Sequence, residues 1–170
     1  MSIDWEDKAW GRVRHVFVNP RAAVSFLEVK SETRCSRHKH ESRINAFTSI
    51  TAEIVIESWV QRFTIPYHIA SGVLYTSLPS ERDIVGPQPI FSTEEVDTRE
   101  CRLLQYLRPG DSCVVDRLVE HRFRVLRGGE VVEVYWTENG EDVSLDDIVR
   151  VDEGGADDLY ELRKEMGLGD

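Results

Sequence analysis

Short runs rich in β-branched and aromatic residues recur along this chain, each closed by a turn signal within about ten residues. That rhythm leaves little room for helix and points to a barrel or sandwich of many short strands. Arg12 to Val18 reads as a strand ended by Asn19-Pro20, and Ala22 to Lys30 reads as a second. Ala46 to Ile56 is rich in β-formers, and Trp59 to Ile65 adds another strand. Order returns at Cys101 to Leu107, followed by the tight turn Arg108-Pro109-Gly110-Asp111 and a strand from Ser112 to Val115. His121 to Leu126 alternates strictly, and Gly128-Gly129 is expected to turn it as a hairpin into Val131 to Trp136.

Two stretches break the rhythm. Pro66, Gly72, Pro79, Gly86, Pro87 and Pro89 interrupt residues 66–97, which read as an insertion with a mobile loop over 77–95. The tail over 138–170 carries twelve Asp/Glu against three Lys/Arg, and its acidic run from Asp142 to Asp158 reads as a solvated edge. Asp157 to Met166 is expected to be a helix, with acids early, Arg163-Lys164 late and Gly167 as its stop. The reading is one mainly-β domain over 1–170, with an N-terminal strand and lead-in over 1–21 and a short C-terminal helix.

Charge narrows the function classes. The net charge is −10, yet residues 1–50 hold nine Lys/Arg against six Asp/Glu. A chain this acidic repels phosphate backbones, so nucleic acid is not an expected partner. No apolar run reaches the roughly 18 residues of a membrane span. The first residues lack the basic and apolar regions of a signal peptide, and three widely spaced cysteines suit a reducing compartment, so a cytoplasmic location is expected. Gly-x-Ser-x-Gly, phosphate-cradling glycine loops and Gly-x-Gly-x-x-Gly are all missing, which argues against a serine hydrolase, a P-loop enzyme or a Rossmann oxidoreductase.

The chemistry concentrates in Cys35 to Asn45. His38 and His40 are two apart, so on a strand both imidazoles face one side and can grip one ion. His121 offers a third ligand. Three imidazoles can hold Zn, Mn, Ni or Fe with positions left open. Arg34 shares the histidines' parity and Arg43 follows them, so both are candidate contacts for an anionic ligand, whereas Arg37 and Lys39 should face outward. His15 and His68 read as ordinary strand or loop residues, and Tyr106 and Tyr135 as strand aromatics, with Tyr106 a candidate ligand contact.

The two histidine stretches resemble the paired motifs of the cupin superfamily, the RmlC-like double-stranded β-helix or jelly-roll barrel. The first motif runs Gly, five residues, His-x-His, three or four residues, Glu, six residues, Gly; Glu32, His38, His40, Asn45 and Ala52 stand at those positions. The second runs Gly, five residues, Pro-x-Gly, two residues, His, three residues, Asn; here Gly110, Asp116, Leu118, His121 and Val125 stand there. All three histidines are kept, and Asn45 replaces the motif carboxylate as a neutral candidate ligand. Glu133-Val134-Tyr135-Trp136 and Leu145 to Asp152 resemble the end of the cupin domain in type II phosphomannose isomerases.

The resemblance implies a metal-binding cupin acting on a sugar or sugar phosphate, with aldose–ketose isomerisation as the expected reaction and Glu41 as the nearest acid/base candidate. It also implies a divalent transition metal, a small anionic sugar ligand and a homodimer. A non-catalytic cupin that binds a small molecule or a partner is the alternative, favoured by Asn45. A non-haem iron dioxygenase is a third.

Overall fold

A computed structural model describes residues 4–61, 68–70, 73–75, 90–92, 100–138 and 140–168. Strands β1 (Glu6–Lys8) and β2 (Gly11–Val18) lead into β3 (Ala22–Val29), followed by the short β4 (Thr33–Arg34) and β5 (His38–Lys39). Strands β6 (Arg43–Ser49) and β7 (Glu53–Gln61) precede β8 (His68–Ala70), β9 (Val73–Tyr75) and β10 (Ile90–Ser92). The second half holds β11 (Glu100–Leu107), β12 (Ser112–Val115), β13 (Glu120–Arg127) and β14 (Gly129–Thr137). The tail adds β15 (Val149–Arg150), β16 (Gly155–Ala156) and helix α1 (Tyr160–Glu165).

Two antiparallel sheets result. One runs β1-β2-β3-β14-β6-β12; the other runs β10-β11-β7-β13-β4-β16, with β5 pairing both β13 and β15. Alternation decides what each face does. In β3, Ala23, Ser25, Leu27 and Val29 are buried while their neighbours are partly exposed. Leu27, Phe47, Ile54, Ile56, Leu107, Phe123, Val125 and Val131 meet between the sheets, where Trp10 packs edge-on to Phe123 at 5.1 Å. Cys113 and Val115 share this inward face. A second, outer cluster joins Val55, Leu104 and Leu126 to Leu159, Leu162 and Met166, so α1 covers part of the outside of the larger sheet.

Three expectations need correction. The run from Ala46 to Ile56 is two strands, because the chain turns after Ser49: the Ser49 Oγ donates to the Ala52 carbonyl at 2.6 Å, and the Gly110 N–H donates to the Ser49 carbonyl at 2.8 Å. That turn holds neither Gly nor Pro, so composition did not mark it. Gly128-Gly129 is not a hairpin turn. β13 belongs to the larger sheet while β14 lies between β3 and β6, so the glycines carry the chain from one sheet to the other. A Cβ at Gly129 would lie 2.7 Å from the Ala52 nitrogen, which is why the crossing needs glycine. The helix starts at Tyr160 rather than Asp157, since Asp157 grips Arg124 and Asp158 Oδ1 accepts the Tyr160 N–H at 3.0 Å.

The acidic run is a solvated edge only in part. Asp152 pairs with Arg34 and Arg122, both at 3.3 Å, and Asp157 takes two bonds from Arg124, at 2.6 and 2.9 Å. Gly154 passes close enough that a Cβ would sit 2.7 Å from the Arg34 carbonyl oxygen. Asp152, Asp157 and Glu165 thus meet arginines of the larger sheet, while Asp142, Asp146, Glu153 and Asp158 stay exposed. Most of the expected insertion over 66–97 lies outside the described residues; within it β8 pairs with β9, and β10, inside the expected loop over 77–95, pairs with β11. Among the described residues no helix is long and apolar enough to cross a membrane, and Cys35, Cys101 and Cys113 are free thiols.

Candidate metal centre

His38 in β5 sits directly opposite His121 in β13. His40 leaves β5 one residue later, and its carbonyl accepts the Leu118 N–H at 2.7 Å. These pairings bring the three rings together, with centroids 4.6, 4.9 and 5.3 Å apart, and one ring nitrogen from each lies within 4.8 Å of the others. Phe47 closes the inner side, 6.0 Å from the His121 ring.

The partners of the rings fix their tautomers. His38 Nδ1 lies 2.7 Å from the Ser36 carbonyl, His121 Nδ1 lies 2.9 Å from the Val119 carbonyl, and His40 Nδ1 bonds the Asp147 carbonyl. A carbonyl only accepts, so each Nδ1 carries the proton and each Nε2 keeps a lone pair, that of His40 taking a long bond from Arg43 Nη2 at 3.4 Å. Burial lowers the pKa of all three. His38 is pushed down by desolvation against the Ser36 bond, His40 to about 3 by desolvation and then Arg43, and His121 well down by desolvation and its two neighbours. All three imidazoles are thus neutral near pH 7 and able to ligate. His121 Nε2 is buried and has no hydrogen-bond partner among the described residues, as a nitrogen reserved for an ion would be. The donor set fits a divalent transition metal.

Asn45 is fully buried; its Nδ2 donates to Glu133 Oε1 at 2.7 Å, and its Oδ1 has no partner among the described residues. The free oxygen is the part of the amide a ligand or ion can use. Asp147 secures the region. Its carboxylate accepts the N–H groups of Glu41, Ser42 and Arg43 and the Ser42 hydroxyl; partial burial pushes its pKa up, but these bonds prevail and hold it at about 2.

A cavity of about 580 Å³ lies beside the centre. It is large enough for a small ligand. His38 borders it, with Arg43, Glu133, Tyr135 and His15 on the walls and Leu145, Asp146 and Ile148 from the tail. Arg43 is buried, lies 4.5 Å over the Tyr135 ring, and donates to the Ser144 and Leu145 carbonyls. Its Nε has no partner, and it makes no ion pair, among the described residues. Burial raises the Glu133 carboxyl to about 7, with Arg43 opposing.

The other sequence candidates lie elsewhere. Glu41 is exposed and outside the cavity wall. Arg34 is held by Asp152 on the larger sheet. Tyr106 packs against the outer cluster, its hydroxyl donating to Glu53 at 2.5 Å. Arg37 does face outward, over Trp59 at 4.0 Å and paired with Glu120. Sequence reasoning missed Glu133, His15 and Tyr135 as wall residues. The signal for Glu133 was an acid amid the apolar alternation of β14.

The backbone keeps a further mark. Among the described non-glycine residues, Glu32 and Leu118 have positive φ, 58° and 65°. They stand at two of the four positions where the cupin motifs carry glycine; Gly110, at a third, has φ 94°, while Ala52, at the fourth, is not among the positive-φ residues. At 32 and 118 the side chain has changed while the turn has kept glycine's conformation.

No family model matches the sequence, and no curated protein matches it. Solved structures do. Staphylococcus aureus CapF, a capsular polysaccharide assembling protein, aligns at 13% identity over 89% of this chain and 32% of its own, with TM-score 0.54. Bacillus subtilis oxalate decarboxylase OxdC aligns at 13% identity over 88% of this chain and 30% of its own, also with TM-score 0.54. Streptomyces PAC13, solved with uridine, aligns at 10% identity over 88% of this chain and 84% of its own, with TM-score 0.52. These neighbours are RmlC-like cupins.

The chain has the cupin fold. It spans about a third of CapF and of OxdC but most of PAC13. At such identities the likeness shows the fold alone, and what this cupin does must be argued from its own site.

Proposed function

We propose that this protein is a metal-dependent cupin acting on a sugar or sugar phosphate, with aldose–ketose isomerisation as its reaction. The observation that carries the proposal is the convergence of three neutral histidines whose Nδ1 protons are all committed to carbonyls. Their Nε2 atoms would hold the ion, with Asn45 Oδ1 as a weaker fourth ligand. A divalent ion bound there supplies Lewis acidity to the oxygens of adjacent carbonyl and hydroxyl carbons.

The chain's own residues do the rest. Arg43, a buried cation with no carboxylate partner among the described residues, receives the ligand's anionic group. Glu133, poised near neutrality, takes the proton from one carbon and returns it to the next. It fills the role in place of Glu41, which is exposed. Asn45 engages Oε1 of Glu133 and leaves Oε2 for the ligand. Two neighbours, a capsular polysaccharide assembling protein and a protein solved with uridine, are in keeping with a sugar-bearing ligand. The reading extends to a homodimer, checked by light scattering.

The replacement of the motif carboxylate by Asn45 favours one other reading, a cupin that binds its ligand without turning it over. Calorimetric titration with Zn, Mn, Ni and Fe, followed by proton NMR of mannose 6-phosphate in deuterated water, separates the two. An isomerase binds metal and exchanges the proton on the carbon next to the carbonyl. Metal binding without exchange, or no metal binding at all, ends the isomerase reading and leaves the binding cupin with a degenerate site.

A further inference from the structure

Across the cavity from the three histidines lies a second polar group that the metal reading does not use. His15 on β2, Ser25 on β3 and Tyr135 on β14 stand on three adjacent strands of the smaller sheet, with His15 opposite Ser25 in register. His15 Nδ1 lies 2.7 Å from Ser25 Oγ and 3.1 Å from the Tyr135 hydroxyl, and Ser25 Oγ also bonds that hydroxyl. Ser25 and Tyr135 are buried, so their hydroxyl protons must be accepted within the trio.

Every proton is placed only when Nδ1 accepts: one hydroxyl donates to the other, and that one donates to the Nδ1 lone pair. If Nδ1 carried the proton instead, one of the two hydroxyls would have no acceptor among the described residues. His15 is therefore the opposite tautomer to the other three: Nδ1 bare and Nε2 protonated. His15 lines the cavity, and its Nε2 has no partner among the described residues. Burial lowers its pKa, against Glu6 and with Lys8 and Arg43, which keeps the ring neutral.

We propose that His15 is a second electrophilic contact of the cavity, donating its Nε2–H to a carbonyl or hydroxyl oxygen of a polyhydroxylated ligand, with Ser25 and Tyr135 as positioning residues. A neutral imidazole suits this role because it polarises an oxygen without giving up its proton. The ligand class rests on the sugar reading above; the tautomer and the donor site do not.

Proton–nitrogen correlation NMR of the imidazoles tests it, with His15 assigned from His15→Gln, first on the protein alone and then with zinc and with fructose 6-phosphate. His15 is expected to be protonated at Nε2 while His38, His40 and His121 are protonated at Nδ1. Its Nε2–H moves downfield on addition of the sugar phosphate, and His15→Gln weakens that binding by about tenfold, the worth of one hydrogen bond. Removing both hydroxyls, Ser25→Ala with Tyr135→Phe, turns the single tautomer into a mixture, whereas Tyr135→Phe alone keeps it because Ser25 still donates to Nδ1, a distinction that lost packing alone would not produce. Protonation of His15 at Nδ1, or an Nε2–H that stays in place at saturating sugar phosphate, overturns the inference. A zinc titration that leaves the three-histidine resonances unmoved, with His15 behaving as expected, sinks only the metal reading.

Discussion

Leu118 carries a backbone conformation that a branched L-residue adopts at a cost of about 1–2 kcal/mol, and its side chain is 58% exposed, so packing does not repay that cost. The position persists because its N–H ties the turn before β13 to His40. Leu118→Gly should raise stability by up to ~1 kcal/mol, reduced by glycine's freedom when unfolded, whereas Leu118→Val should lower it; urea midpoints of the two variants decide. At the metal centre, His121→Ala should abolish zinc binding in a calorimetric titration, because two imidazoles remain. Asn45→Glu should raise the affinity about tenfold, with Asn45→Asp less effective because its stem is shorter. Glu133, 2.7 Å from the Asn45 amide, must stay protonated for that gain to appear, since two facing carboxylates do not both ionise. Glu133 also sets a pH dependence. Burial places its folded pKa at about 7, above the unfolded carboxyl range, so the folded state holds the extra proton between roughly pH 4.5 and 7. The stability this gives is complete below that window and is lost as pH rises through 7. Glu133→Gln, neutral throughout, should show a smaller fall in denaturation midpoint between pH 5.5 and 8 than the parent.

At the scale of elements, helix α1 owes its place to packing rather than to length. Six residues cannot hold a helix alone in water. Leu162 is 1% exposed against Val55, Leu104 and Leu126, so Leu162→Ala should cost about 2–4 kcal/mol and expose the outer face of the larger sheet, read by thermal melts and dye binding. The helix was legible in the sequence because its charges follow the dipole and Gly167 ends it. The strands were legible where alternation was strict, as in β3 and β13, and the His-x-His spacing foretold that His38 and His40 would converge. What could not be read was pairing. Nothing local to Gly128-Gly129 says that β13 and β14 lie in different sheets, since that depends on which distant strands, β7 and β3, each one meets. The cavity wall was hidden for the same reason: His15, Glu133 and Tyr135 come from β2 and β14, whose places in the sheet follow from topology, not spacing.

Over the whole molecule, the uneven charge of the sequence resolves into one internal arrangement. The outer face of the larger sheet carries Arg34, Arg102, Arg122 and Arg124, and the acids that meet them come from β7 and from the tail. Glu57 is the hub. It is fully buried, takes Arg102 at 2.6 Å and bonds Arg122, while Arg124 approaches to 3.9 Å. Asp152, Asp157 and Glu165 then bind the same arginines from the tail, and residues 145–148 of that tail go on to wall the cavity and hold His40. Sheet charge and site geometry are therefore coupled through one segment. Removing the hub leaves Arg102 with Glu165 and Arg122 with Asp152, so the loss should fall below the ~3–5 kcal/mol of a buried charge left with no partner. Glu57→Ala should show that loss in chemical denaturation, and Glu57→Gln, which keeps the hydrogen bonds without the charge, should show less. If the coupling holds, Glu57→Ala should also weaken zinc binding at the distant histidines, because a loosened tail no longer fixes the Asp147 carbonyl on His40 Nδ1. Zinc affinity equal to the parent's in a folded Glu57→Ala protein would show instead that the three histidines are held by β5 and β13 alone.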